Sequence, residues 1–209
     1  MQRIHILKLD GSNYRNVLEA VQMLGFTVCL TPPRNLSKLH SDSTLIIPGI
    51  GHISSLASQV TDEFGIDNLK CLIQSRDLYT IGICLGFHFL CQSSSEDDSA
   101  DCLKLFPVSI TRIHENCAPE VGWREISIGR LGDRSEGNMP ISGYFYFSHS
   151  YGGVDVTQKG CYETGDGRTI IGFYNSKRLT GFQFHPEKSG TIGLKLLEKV
   201  LSRNSNSSI

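Results

Sequence analysis

Apolar and polar residues alternate in short blocks along the first half of the chain, and the spacing within the blocks changes from one to the next. Residues 3–9 form an apolar, β-prone run, Arg3-Ile4-His5-Ile6-Leu7-Lys8-Leu9. Val17, Ala20, Val21 and Leu24 then recur at helical spacing over residues 13–24, and Gly25 ends that helix. Residues 26–31 predict a second strand, stopped by Pro32-Pro33, and residues 43–47 a third, running into Pro48-Gly49-Ile50-Gly51. Residues 66–75 read as a helix. Residues 78–83 predict a fourth strand, with a helix at once from Leu85 to about Gln92. This strand–helix alternation implies crossover connections and an α/β fold built on a mainly parallel sheet flanked by helices.

After residue 108 the pattern changes. Residues 109–114, 125–128, 144–148, 160–163, 169–174 and 179–184 predict short strands separated by turn residues. Residues 190–201 close the pattern as a helix with Ile192, Leu196, Leu197 and Val200 on one side, and residues 203–209 read as a polar, frayed tail. No repeat and no linker interrupts residues 1–209, so the expectation is a single domain.

Composition narrows the function classes. A chain that is 39% hydrophobic and 20% charged, with net charge −1, reads as a soluble globular protein without the basic excess that nucleic acid or an anionic membrane calls for. No apolar run reaches the roughly 20 residues of a membrane span, and the N-terminus reads as a first strand rather than a signal peptide. The seven cysteines are odd in number, irregularly spaced and free of Cys-x-x-Cys, which argues against a zinc knuckle. With no secretory signal, the expected compartment is the reducing cytoplasm, with most cysteines acting as small buried hydrophobes.

Cys84 is the exception. Gly82-Ile83-Cys84-Leu85-Gly86 has the form of a nucleophile elbow, in which a strand turns sharply into a helix and flanking glycines relieve crowding. Such a turn puts the thiol at the carboxyl edge of the sheet and beside a helix N-terminus, which favours thiolate. It leaves the Leu85 amide free to face an oxyanion. The five-residue pattern alone is common, and the predicted strand before it and apolar helix after it give it weight. A second segment, Gly181-Phe182-Gln183-Phe184-His185-Pro186-Glu187-Lys188-Ser189-Gly190, follows another apolar strand. Pro186 holds His185 extended. From there His185 can serve Cys84 as general base and acid, with Glu187 orienting the imidazole as in a serine-type triad. A metal site of His185, Glu187 and His149 is the alternative, and it leaves the Cys84 elbow unexplained. Residues 45–51 form a third strand end whose glycine-rich turn offers backbone N–H groups to an oxyanion. In a parallel sheet, three such ends share one edge.

Together these segments resemble the class I glutamine amidotransferases and, within them, the glutaminase subunits of imidazole glycerol phosphate synthase. The resemblance runs through Asn13, the Pro48–Gly51 turn, the Cys84 elbow, Pro119-Glu120-Val121-Gly122-Trp123, Phe147-Ser148-His149-Ser150-Tyr151 and His185-Pro186-Glu187-Lys188-Ser189. It implies a flavodoxin-like α/β fold and hydrolysis of glutamine through a glutamyl thioester on Cys84, with no cofactor. It implies an oxyanion hole at Ile50 and Leu85, and glutamine contacts at Gly49, Gly51, position 88, Glu96, His149, Ser150 and Tyr151. It also implies a partner surface at Asn13, Trp123, Tyr146 and Lys188, where a barrel-type cyclase receives ammonia.

The chain departs from the family's pattern at defined places. His88 stands where the family usually has glutamine. Pro119-Glu120-Val121-Gly122-Trp123-Arg124 stands where it usually reads Pro-His-Met-Gly-Trp-Asn. These departures leave other readings open: a paralogous subunit supplying ammonia for amidino sugars of surface polysaccharide, another cysteine hydrolase on this fold, or a non-catalytic regulatory subunit.

Overall fold

The computed structural model describes residues 3–114, 119–128, 141–154, 160–164, 167–176 and 178–202. The expected tail at 203–209 and Cys117 lie outside them.

Short apolar strands flanked by amphipathic helices build the frame. In chain order these are β1 (Ile4–Leu7), α1 (Tyr14–Met23), β2 (Val28–Thr31), β3 (Thr44–Ile47), α2 (Ile53–Glu63), α3 (Ile66–Ser75), β4 (Tyr79–Ile83) and α4 (Leu85–Leu90). Then come β5 (Ser93–Ser94), β6 (Ser109–Arg112), β7 (Glu120–Ile128), β8 (Ile141–His149), β9 (Tyr151–Gly153), β10 (Cys161–Glu163), β11 (Thr169–Ile171), β12 (Phe173–Asn175), β13 (Leu179–Phe182) and α5 (Gly190–Ser202). The main sheet runs β12-β13-β4-β3-β1-β2, with only the edge strand β12 antiparallel. Its five parallel strands follow the flavodoxin-like order. The expected fold class is therefore the observed one.

Both faces of this sheet are covered, which is why β3 and β4 are buried at every position. Ile4, Ile6 and Ile46 face α1 and α5, packing on Val17, Val21, Leu197 and Val200. Leu45 and Ile47 face the other way, onto Leu56, Val60, Leu69 and Phe87 from α2, α3 and α4. Among the described residues no helix is long and apolar enough to cross a membrane.

The sequence reading missed α2 and the short strands β5 and β9, and misjudged two others. Ile53, Leu56, Ala57 and Val60 of α2 are all buried, at i, i+3, i+4 and i+7. The expected strand over 169–174 is two strands: Gly172 donates its N–H to the Gly160 carbonyl, and there the chain leaves the β10–β11 pair for the main sheet. β7 begins at Glu120, five residues before the expected start, because it pairs with β8 along its whole length.

Candidate active site

Three neighbouring strands, β13, β4 and β3, deliver their carboxyl ends to one place. β4 ends at Cys84, whose backbone sits at φ 52° and ψ −108°, a region that costs a non-glycine residue roughly 1–3 kcal/mol. The strain persists because the elbow is fixed on every side. Cys84 donates its N–H to Phe182 on β13 (2.6 Å), and its carbonyl accepts from Phe87 and His88 as α4 begins. A side chain at Gly86 would run into the Ile47 carbonyl, and one at Gly49 into Leu85, so the β3 turn and the elbow approach as closely as backbone allows. Leu85, as the first residue of α4, has no partner for its N–H within the helix.

β13 leads to His185, which is 1% exposed and anchored by its N–H to the Tyr146 carbonyl. His185 Nδ1 donates to Glu187 Oε1 at 2.8 Å, and Asn13 Nδ2 donates to the same oxygen at 2.6 Å. The 3.5 Å separation of Asn13 Nδ2 and His185 Nδ1 is thus two donors converging on one acceptor. Glu187 Oε2 and Asn13 Oδ1 are buried with no partner among the described residues. Burial opposes charge on His185, but the hydrogen bonds and negative charge of Cys84 and Glu187 outweigh it and push the imidazolium up to about 10. A carboxylate thus braces the imidazole beside the cleft that holds Cys84.

A cleft of about 300 Å³ opens over Cys84. It is lined by Ile50, Gly51, Leu85, His88, Glu96, His149, Ser150, Tyr151, His185 and Lys188, all named from the sequence, and by Pro119 and Ser148. Cys84 Sγ lies 3.9 Å from the Ser148 carbonyl. Gly49 lies behind the cleft wall, against Leu85 and Gly86. Glu96, just after β5, accepts the Ile53 N–H at the start of α2 (3.2 Å), and burial raises its carboxyl pKa.

Two further histidines are held neutral. Burial, aided by the nearby histidines, lowers His149 to about 3. Its Nδ1–H donates to the Tyr151 carbonyl (2.7 Å) and its Nε2 accepts from the Tyr162 hydroxyl (3.0 Å), which fixes the tautomer. Burial lowers His88 to about 4, and its Nε2 pairs with Gln183 Oε1 at 2.8 Å. Tyr162 and Gln183 escaped the sequence reading, although Gln183 stands two residues before His185.

The residues expected at a partner surface divide. Trp123 is 48% exposed and packs edge-on against Tyr146 across the β7–β8 pair, with exposed Val121 and Tyr144 nearby. Lys188 lies at the cleft. Asn13 is buried and bonded to Glu187, at the start of α1, whose N-terminus its side chain does not cap. The charges that replace the usual interface residues pair with each other: Glu120, buried on β7, meets Arg124 and accepts from His114 at 3.0 Å.

Comparison with known proteins identifies the family. The chain is 32% identical over 207 residues to the imidazole glycerol phosphate synthase subunit HisH of Thermotoga maritima, covering 95% of this chain and 96% of that protein. It is 31% identical over 205 residues to the HisH of Methanopyrus kandleri, covering 96% and 98%. Its fold matches a crystal structure of a glutamine amidotransferase with a TM-score of 0.69 at 18% identity, over 97% of this chain and 98% of that one. It also matches a chain of PurLQS from Thermotoga maritima with a TM-score of 0.68 at 16% identity, over 97% and 98%. The family model for glutamine amidotransferase class-I matches residues 6–202, and the chain belongs to that family of enzymes.

Proposed function

We propose that this chain is the glutaminase component of a two-chain amidotransferase of the imidazole glycerol phosphate synthase type, acting in the cytoplasm. It hydrolyses glutamine to glutamate and passes the ammonia to a barrel-type cyclase. The observation that carries the reading is the convergence of strained Cys84, the His185–Glu187 pair and the Ile50 and Leu85 turns at one cleft.

Cys84 thiolate attacks the glutamine carboxamide carbon, and the developing oxyanion meets the Ile50 and Leu85 amides. His185 gives its proton to the departing ammonia, which leaves a glutamyl thioester on Cys84. Neutral His185 then takes a proton from water as the water attacks the thioester, and glutamate leaves with the thiolate restored. Glu187 keeps Nδ1 protonated throughout, so Nε2 is the nitrogen that exchanges protons. Glu96, with Ser150 and Tyr151, holds the amino-acid head group. Trp123, Tyr146 and Lys188 form the docking surface.

A second reading is favoured by the Glu120–Arg124 pair, which stands at interface positions where the family carries other residues and which His114 joins. On that reading the partner is the cyclase of a paralogous amidino-sugar system. Both readings are tested by glutamate release from glutamine, for wild type and Cys84→Ala, each alone and with either cyclase. Cys84-dependent release that rises with one cyclase supports the proposal and identifies the partner. Release that persists in Cys84→Ala overturns the triad assignment.

A further inference from the structure

His88, the chain's departure from its family nearest the nucleophile, stands in the first turn of α4, where its N–H bonds to the carbonyl of Cys84, the residue that caps the helix. Gln183 stands two residues before His185 on the segment leaving β13. Gln183 bonds to His88, and His185 lines the same cleft as Cys84. The His88–Gln183 pair therefore ties together the two elements that lead to the nucleophile and the base.

We propose that this hydrogen bond sets the spacing between Cys84 and His185, which makes His88 a positioning residue rather than a ligand of glutamine. The inference rests on the reading above, in which Cys84 is the nucleophile and His185 its base. His88 borders the cleft, yet it is 3% exposed, its Nε2 is committed to Gln183, and its Nδ1 is buried with no partner among the described residues. Gln183 is fully buried, and its N–H is tied to the Gly172 carbonyl. Nothing cushions the contact between the two elements. The Phe87 ring lies where a side chain at Gly181 would stand, so α4 rests directly on β13. Held neutral by burial, the imidazole keeps the same partner across the working pH range.

The test is the rate at which iodoacetamide alkylates Cys84, followed by peptide mass spectrometry across pH, alongside KM and kcat for glutamine. The groups facing Cys84 are His185 and Glu187 after β13, His149 on β8, Tyr162 on β10, and Glu96 and Lys188 at the cleft. All are unchanged in the variants His88→Phe and Gln183→Met, which break the tie from opposite sides, so that either one carries the test if the other does not fold. Loss of the tie should slow alkylation at neutral pH about ten-fold or more and move its profile to higher pH, because a small misplacement of paired groups is costly. KM should stay within about two-fold, and His88→Gln should restore both rate and profile. A several-fold rise in KM with the alkylation profile unchanged would overturn the inference and make His88 a substrate ligand. Alkylation needs no glutamine, so this arm decides the inference even in a protein that releases no glutamate, the outcome that would count against the proposed function.

Discussion

Lowering the pH should strip stability from this protein through two histidines that the fold keeps neutral. His88 and His149 are lowered from an ordinary 6.5 to about 4 and about 3. The unfolded chain therefore binds more protons than the native one below pH 6.5. Stability rises with pH wherever that holds, so it is complete above 6.5 and is lost as pH falls toward 4 and 3. At pH 4.5 each histidine has withheld its proton for two pH units, which costs about 3 kcal/mol apiece. Protonated His185 does not add to this fall: its raised value means its contribution is full below 6.5 and disappears only as pH climbs through about 10. Urea unfolding of wild type and His88→Gln at pH 7 and pH 4.5 isolates the His88 share, since the other groups cancel in the difference. The variant should lose about 3 kcal/mol less than wild type on acidification. Equal losses in the two proteins would refute the claim that burial keeps His88 uncharged.

Asn13→Ala removes a donor from buried Glu187, so stability should fall by about 2 kcal/mol and kcat should drop while KM for glutamine holds; an unchanged kcat would mean that the Asn13–Glu187 bond plays no part in orienting His185. Cys84→Ala removes the leading group that raises His185, so its titration midpoint by NMR should move down from about 10; a midpoint that stays put would mean no thiolate–imidazolium pair exists. Trp123→Ala should weaken activation by the cyclase while leaving the isolated chain's melting temperature within about 2 °C, because a half-exposed side chain contributes little to the fold. A large fall in melting temperature would assign Trp123 to the core instead.

Much of this site was legible because it rests on short local patterns. The Cys84 elbow, the Pro48–Gly51 turn and the His185–Glu187 pair each lie within a few residues, and their strands carry unbroken apolar runs. Topology then brings them together, since neighbouring parallel strands share an edge. The helix over 66–75 was readable from its spacing. α2 carried an equally regular stripe at Ile53, Leu56, Ala57 and Val60, but the glycine turn before it and the serines within it resemble a loop. What the sequence withheld were pairings between distant positions: Asn13 with Glu187, 174 residues apart, and His88 with Gln183, 95 apart. Neither side chain announces its partner, because an amide or an imidazole bonds many groups equally well. Only the packing of α1, α4 and β13 selects one.

The most direct test of the central claim is covalent trapping with a diazoketone analogue of glutamine, read by intact mass and peptide mapping. The account predicts a single adduct on Cys84, prevented by excess glutamine and absent in Cys84→Ala, while exposed Cys29 and Cys71 remain unmodified. An adduct on those exposed thiols that glutamine does not prevent, or no adduct at Cys84 with or without the cyclase, would contradict it.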